Sequence, residues 1–460
     1  MASADIDTIA LTRLAAKRLK QISVEGLSSE VHTKATHCLV DTLGAIAVGL
    51  TGPLAASMRM YATRDIDRPQ SYAFAIGKKT SAETAAFTNA VLAHTALRDD
   101  MHLESVAHIG SIVIPSALAV AQRDSWNGDQ LLKAIVGGYE MGALLGTSLH
   151  ASGKMNSHFR ASGMIGAFAA AGSIACGESS DEATTANALG LAVNAACGVN
   201  EWACGGTPEI FIHVGTAARS GITSHALAKV GVVSSPEVLE GKHGLFNALG
   251  VLPDAPSTFT KWLQLSSLGR GILDVKWKPA GCCNYTQTTT SLALKISRMP
   301  GFAVTDVRSI DITTTTAAIR YPGCDNAGPL HSTLQGMMSI QYGVSVALLL
   351  GRLSEASWDP LCNPDTASLM RRCNLSASPA FDEAYRQGLQ PARIVITLED
   401  GNVIEQEAAD VPWMESSEVL ARSVREIGEH VPAERAQQLV ELCLDVDQLE
   451  NCEKLEACLF

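Results

Sequence analysis

Residues 98–108 read Arg98-Asp99-Asp100-Met101-His102-Leu103-Glu104-Ser105-Val106-Ala107-His108, which puts three carboxylates, two imidazoles and a guanidinium into eleven positions. A carboxylate beside an imidazole is the raw material of general acid/base chemistry: the ring exchanges a proton near neutral pH and the carboxylate steadies its charged form. The stretch lies between two apolar runs, an alanine-rich one over residues 83–97 and a second over 112–121. Charge at such a junction is costly to bury unless it is paired or used. The same residues also suit a solvated turn, with Asp99 or Asp100 starting the next segment. His102-x-Glu104-x3-His108 has the residue types of a metal site but lacks a third ligand or a Cys-x2-Cys at a recognisable spacing, so no metal is expected.

The elements that must position these groups are mostly helical. Residues 6–24 have helical period, with Ile9, Leu11, Leu14, Ala15 and Leu19 on one face. Ser28 or Ser29 suits the cap of a second helix that runs into the nearly all-apolar segment 41–47. A polar stretch over 63–79 follows, with a short strand predicted at 71–76. Helices are predicted over 129–149, over the small-residue run 163–176, over 181–198 and over 209–230. The character changes near Gly271. Strands are predicted over 272–277 and 306–314, with a helix over 288–297 between them and a long buried helix over 334–353. Residues 393–407 alternate about Asp400-Gly401, a strong hairpin signal. The tail beyond Pro412 is again amphipathic helix. The expected fold is therefore mainly α: a large all-α domain over 1–270, a smaller α+β domain over 271–409, and C-terminal helices over 410–460 that return to the first.

The chain has 460 residues, enough for two or three domains and a large core. Hydrophobic residues make up 47% and charged residues 18%, so a folded core rather than disorder is expected. Acidic residues outnumber basic ones by 47 to 35, a net charge of -12, which argues against nucleic acid and anionic membranes as partners. A local basic pocket for a small anion is compatible with that charge. No apolar run reaches membrane-spanning length, and the N-terminus has no series of secretory type. The 12 cysteines follow no framework spacing and read as reduced thiols of a cytoplasmic protein. Cys282-Cys283 is read as two separate thiols.

Asp99-Asp100-x-His102-x-Glu104-x3-His108, followed by Ser-Ile-Val-x-Pro, resembles the signature of the MmgE/PrpD family. The likeness extends along nearly the whole chain, through Asp41-Thr42-Leu43-Gly44, Gly138-Tyr139-Glu140, His213-x-Gly215-x-Ala217-Ala218-x3-Gly221, Gly244-Leu245-Phe246, Lys278-Pro279-x2-Cys282 and Gln335-x3-Ser339-Ile340-x-Tyr342. The resemblance implies a homodimer, with the α+β domain as a lid and the site in the cleft between domains. It implies no metal and no organic cofactor. It also implies a small di- or tricarboxylic acid as substrate, with a bond made or broken at a carbon next to a carboxylate.

Such chemistry needs a base poised near neutral pKa and fixed cations around the carboxylates, because removing the α-proton builds negative charge on their oxygens. In these terms His108 is the proton-transfer residue and Asp99 its partner. Lys278 and Arg160 are carboxylate anchors, with Arg98 a further candidate. Tyr321 falls where relatives place a site tyrosine. His102, His158 and His213 are further substrate-binding candidates, although His213 on an apolar run and His158 in a polar loop also suit structural roles, and Lys278 suits a solvated strand end. Tyr139 is read as packing. Arg160, Ile210 and Gln287 stand where family members carry histidine, lysine and histidine. These departures weigh against cis-aconitate decarboxylation and leave room for a less charged substrate. The expected activity is a cofactor-independent, dehydratase-like lyase. An epimerase or isomerase using the same site, and an inactive carboxylate-binding homologue, are the alternatives.

Overall fold

Small side chains dictate how the helices of the first 270 residues pack. The computed structural model describes residues 10–153 and 158–458, so the first positions of the predicted 6–24 helix lie outside the described residues; from Leu11 the helix runs to Val24. The Ser29–Gly49 helix is capped by Ser28, whose hydroxyl accepts from Val31 N. The helices Ala82–Thr95, Gly110–Arg123, Gly128–His150, Ala161–Gly177 and Glu209–Lys229 then pack on one another. Ala161–Gly177 is buried along its whole length. Its neighbour Glu209–Lys229 comes so close that a Cβ on Gly221 would lie 2.3 Å from Ala170 Cβ. Glycine at that crossing is a packing requirement. The predicted 181–198 helix is shorter, Glu182–Ala192, because a 3-10 turn and extended backbone take over at Val193.

Strands are few. β1 (Ser71–Ala73) and β2 (Lys78–Thr80) form a small antiparallel pair where the sequence predicts one strand. β3 (Met101–His102) belongs to the polar stretch itself and pairs antiparallel with β4 (Val275–Lys276), Met101 opposite Lys276 and His102 opposite Val275. The strand expected over 272–277 is thus only two residues long, and Arg270–Leu273 ahead of it is a helical turn. Short as it is, this pairing carries Lys278 to the polar stretch.

The main sheet has the order β6-β5-β7-β8, formed by β5 (Val307–Thr314), β6 (Cys373–Ala377), β7 (Ala392–Leu398) and β8 (Val403–Ala408). β5 runs parallel to β6 and antiparallel to β7, and β7–β8 is the predicted hairpin. Val307, Ile310 and Ile312 alternate with exposed or half-buried positions and, with Ala392, Ile394 and Ile396, make the buried face. The Gln287–Ser297 helix packs on the sheet at β7 and β8 and also on Ile340–Leu350. The long helix expected over 334–353 is broken at Ser339, whose hydroxyl accepts from Tyr342 N and so caps a second helix, Ile340–Leu350, after Thr333–Met338.

The Ser416–Gly428 helix packs against Ser29–Gly49. Arg422 Nη2 lies 2.9 Å from Asp41 Oδ1, and Arg98 bonds both Asp41 Oδ1 at 2.6 Å and Glu426 Oε2 at 2.6 Å. Three segments far apart in sequence meet in this buried ion cluster. Among the described residues no helix is long and apolar enough to cross a membrane.

Candidate functional site

Asp99 sits just past the end of the Ala82–Thr95 helix, and two imidazoles close on it. His94 Nδ1 lies 2.7 Å from Asp99 Oδ2 and His108 Nδ1 lies 3.5 Å from Oδ1. The two rings stand 4.9 Å apart between centroids. Lys278 Nζ is 3.9 Å from Asp99 Oδ1. Burial alone would favour a neutral Asp99, but His108, His94 and Lys278 hold its carboxyl well below the usual range. Asp99 is therefore a fixed anion.

His108 is held from two sides. Its backbone N–H donates to Ser162 Oγ at 3.0 Å, and its Nδ1 bonds the carbonyl of Asp100 at 2.8 Å. A carbonyl only accepts, so Nδ1 carries the hydrogen and Nε2 holds the lone pair in the neutral ring. Burial pushes the His108 pKa well below the ordinary value against the pull of Asp99, with Lys278, His94 and Arg160 adding to the lowering. A neutral ring with a free Nε2 is the state that a general base needs at pH 7. In His94 the roles are set by Asp99 on Nδ1 and by Arg160, whose Nη2 lies 2.6 Å from Nε2. His94 is wholly buried, and burial brings its pKa to about 4.

Asp100 supports the geometry from behind. Its Oδ1 accepts from Gly110 N at 3.1 Å and its Oδ2 accepts from the Tyr139 hydroxyl. Burial raises its pKa to about 7, with Asp41 and Asp99 adding to the rise. Two backbone outliers flank the stretch: Leu97 with φ 46° and Val106 with φ 51°. Left-handed backbone at a β-branched residue is strained and persists only where its surroundings enforce it. Leu97 O receives the Lys278 ammonium, and Val106 lines the cavity described next.

His108 opens onto a narrow cavity of about 40 Å³ lined by Met101, Val106, Arg160, Trp202, Ile210, Cys283, Asn284, Tyr285, Tyr321 and Met338. Met101, Val106, Asn284 and Tyr285 also line an adjoining outer space of about 510 Å³ bounded by Tyr385, Arg386 and Gln390. The outer space gives the inner one an approach. Arg160 is the cation of the inner wall, and Tyr321 and Tyr285 supply hydroxyls, their rings 5.1 Å apart. Burial pushes Tyr321 well above its ordinary pKa, so it stays protonated and can donate. Trp202, Ile210, Met101 and Met338 form an apolar wall.

Of the residues singled out in the sequence, His108, Arg160 and Tyr321 line this cavity, and Asp99 is buried behind His108. The others do not line this cavity. Lys278, expected to anchor a carboxylate, is fully buried and spends its ammonium on the carbonyls of Leu97 and Cys282, so it serves Asp99 and the backbone. Arg98 is consumed by Asp41 and Glu426. His102 is wholly buried, with Nδ1 2.9 Å from Ser105 Oγ, and its ring faces Trp262. His158 is exposed, and its carbonyl accepts from Asn200 N. His213 stands behind Arg160 and His94, whose charges add to burial in bringing it to about 4. Gln287 is buried and binds the carbonyls of Ala280 and Cys282, which shapes the turn ahead of Cys283. Sequence reasoning missed His94 and Cys283. The signal for His94 was an imidazole in the last turn of an otherwise apolar helix, five residues before Asp99. Tyr139, read as packing, is also the partner of Asp100.

The ligand atoms of His94, Asp99 and His108 lie within 4.8 Å of one another, close enough to share a metal ion. Against this, the Arg160 guanidinium sits on His94 and the Lys278 ammonium beside Asp99, so two fixed positive charges oppose a third.

The MmgE/PrpD N-terminal domain matches residues 13–255 and the MmgE/PrpD C-terminal domain residues 281–445. Among curated relatives, a cis-aconitate decarboxylase of Aspergillus terreus is 25% identical over 461 residues, covering 94% of this chain and 92% of that protein. A 2-methylcitrate dehydratase of Cupriavidus necator is 25% identical over 255 residues, 51% of each chain. The 2-methylcitrate dehydratase of Escherichia coli K12 is 26% identical over 182 residues, 36% of this chain and 37% of the relative. With both of its domains matched in order along most of the chain, this protein belongs to the MmgE/PrpD family.

Proposed function

We propose that this protein is a lyase of the dehydratase type, acting on a small carboxylic acid by proton transfer through His108, with no metal and no organic cofactor. The observation that carries the reading is the state of His108: its Nδ1 is tied to the Asp100 carbonyl, and its ring lines a cavity shared with Arg160 and Tyr321. Nε2 takes the proton α to the substrate carboxylate. Asp99, 3.5 Å from Nδ1, then stabilises the imidazolium that forms. Arg160 grips a substrate carboxylate and meets the charge that builds on its oxygens. Tyr321 lines the same cavity, and its hydroxyl serves as the acid to the leaving hydroxyl. The apolar wall of Ile210, Trp202 and Met338 suits a substrate with an alkyl substituent better than a third carboxylate.

Residues 271–409 are taken as the lid over this cavity, residues 410–460 as the return to the first domain, and a homodimer as the working unit, all in line with the family. A second reading, decarboxylation, draws on the near full-length similarity to the A. terreus cis-aconitate decarboxylase. It would use His108 in the opposite sense, to protonate the carbanion left when CO₂ departs.

Proton NMR in deuterium oxide on a panel of citrate, methylcitrate, aconitate and iminodisuccinate analogues, after dialysis against a chelator, tests both. A new alkene signal with carbon count kept is the expected result. An alkene with loss of CO₂ selects the second reading. Wash-out of the α-proton with no alkene identifies an epimerase. Binding without turnover on every compound would overturn the enzymatic reading.

A further inference from the structure

Two thiols meet at the edge of the cavity. Cys283 lines it, and its Sγ lies 3.6 Å from Sγ of Cys324, 41 residues further along the chain. Both are buried. Both backbones are pinned to one short segment: Cys283 N donates to Met337 O at 2.9 Å, and Cys324 O accepts from Ile340 N at 2.9 Å. Thiols anchored this way are held near each other in every state that keeps residues 337–340 in place. The cavity mechanism uses neither of them. The other neighbour of Cys283, Cys282, has its Sγ against Gln287 Nε2 at 3.1 Å.

We infer that Cys283 and Cys324 are a redox pair that forms a disulfide when a peroxide enters the cavity, and that this bond switches the site off. Cys283 is the thiol that faces the cavity, and so the one that meets the oxidant. A hydrogen bond from the Cys324 thiol, helped by Lys278 and Arg160, holds Cys283 below its ordinary pKa against burial, whereas burial pushes Cys324 up. The thiol that meets the oxidant is therefore also the better nucleophile.

The Cys283 thiolate attacks one peroxide oxygen, the O–O bond breaks, and the products are a sulfenic acid and hydroxide, which takes up the proton the thiol gave up. The Cys324 sulfur then attacks the sulfenyl sulfur. Its proton leaves with the departing hydroxide as water. Two thiols have lost two electrons, and hydrogen peroxide has become two waters.

Closing the bond draws the sulfurs from 3.6 Å to about 2.05 Å. Cys324 N donates to Tyr321 O at 3.1 Å, so the movement is passed to a residue that lines the same cavity. A displacement of about 1 Å near a reacting centre can cost about a hundredfold in rate. The loss of activity rests on the proposed function; formation of the disulfide does not.

The test treats the full-length protein with hydrogen peroxide, counts free thiols, and maps cross-linked peptides by mass spectrometry. The expected result is loss of two thiols, one peptide pair joining Cys283 to Cys324, and at least a tenfold fall in activity that dithiothreitol restores. The Cys324→Ser variant should keep its activity when untreated, form no such peptide pair, and stop at a Cys283 sulfenic acid that dimedone traps on the Cys283 peptide. A cross-link between other cysteines, or none while single thiols oxidise, would overturn the pair. A Cys283–Cys324 bond with activity unchanged would overturn the switch and keep the pair. Because the peptide map needs no turnover, it decides the pair even if the substrate reading fails or the serine variant does not fold.

Discussion

The His108 ring is held by a carbonyl on Nδ1 and by Asp99 beyond it, so its contribution to rate is separable from its contribution to the fold. His108→Ala is expected to lower kcat by about 10²–10⁴, the usual share of a positioned acid/base, with Tm within a few degrees of the wild type. An unchanged kcat would remove this mechanism. The pH profile gives a second check. His108 works as a base only when neutral, and its pKa lies well below the ordinary 6.5. The kcat/KM profile should therefore stay flat from pH 8 to pH 6.5 and fall only at lower pH, as protonation fills Nε2. An acid limb centred at 6.5 or above would contradict this environment. Arg160→Ala should raise KM more than it lowers kcat, with a loss in kcat/KM of about 10–100-fold for one charge-assisted contact. At this scale the sequence was half legible. Asp99, His108, Arg160 and Tyr321 could be picked out by type and by resemblance. Lys278 and Arg98 were assigned to substrate because a sequence shows that a cation is present but not which carbonyl or carboxylate claims it. His94 stayed hidden because nothing in an apolar helix distinguishes a buried structural imidazole from one that faces a carboxylate across a turn.

The element that sets this geometry is the short turn between two helices, closed by the β3–β4 pair and by Gly110 at the head of the next helix. A Cβ at Gly110 would lie 2.3 Å from Tyr139 Oη and 2.7 Å from Asp100 Oδ2, in the middle of the bond that fixes the Asp100 backbone. Gly110→Ala is therefore expected to cost about 1–3 kcal/mol by overpacking a closed core. It should also lower kcat, since the Asp100 carbonyl sets the His108 tautomer. Urea denaturation and steady-state kinetics on the same preparation check both; a neutral effect on each would mean that the turn has slack. Elements with a strong period, such as residues 129–149, or a strong turn signal, such as Asp400-Gly401, were legible. Those decided by tertiary contact were not. Val275 and Lys276 pair with His102 and Met101 across more than a third of the chain, and the predicted 334–353 helix breaks where the Ser339 hydroxyl caps a new start.

Across the whole molecule, buried ionisable groups tie the parts together and set how the fold responds to acid. The Asp41 cluster joins the Ser29–Gly49 helix, the turn at Arg98 and the Ser416–Gly428 helix. Removing its central anion with Asp41→Ala leaves two buried guanidinium groups short of a partner, which should cost about 3–5 kcal/mol. Acid acts elsewhere first. His94 and His102 are wholly buried, and burial brings each to about 4. An unfolded histidine titrates near 6.5, so between about pH 6.5 and pH 4 the unfolded chain binds more protons than the native one. Their stabilising effect is complete above pH 6.5 and is lost as the pH falls through that window, at up to about 1.4 kcal/mol per pH unit for each ring. Asp99 acts in the same direction but later: its folded pKa is depressed, so its contribution stays intact until the pH drops below the unfolded carboxylate value of about 3.9. Tm measured from pH 7.5 to pH 4.5 should accordingly decline while Asp99 is still ionised, with Asp100 opposing the fall because its buried carboxyl takes up a proton near pH 7 that the unfolded group takes only near 3.9. His102→Gln, which cannot take the proton and lies outside the cavity, should flatten the decline by one ring's share, with His94, His108 and His213 carrying the rest. A Tm that holds steady down to pH 4.5 would mean that these rings reach water in the native protein, and the enclosed setting of His108, whose ring lies 4.9 Å from that of His94, would fail with them.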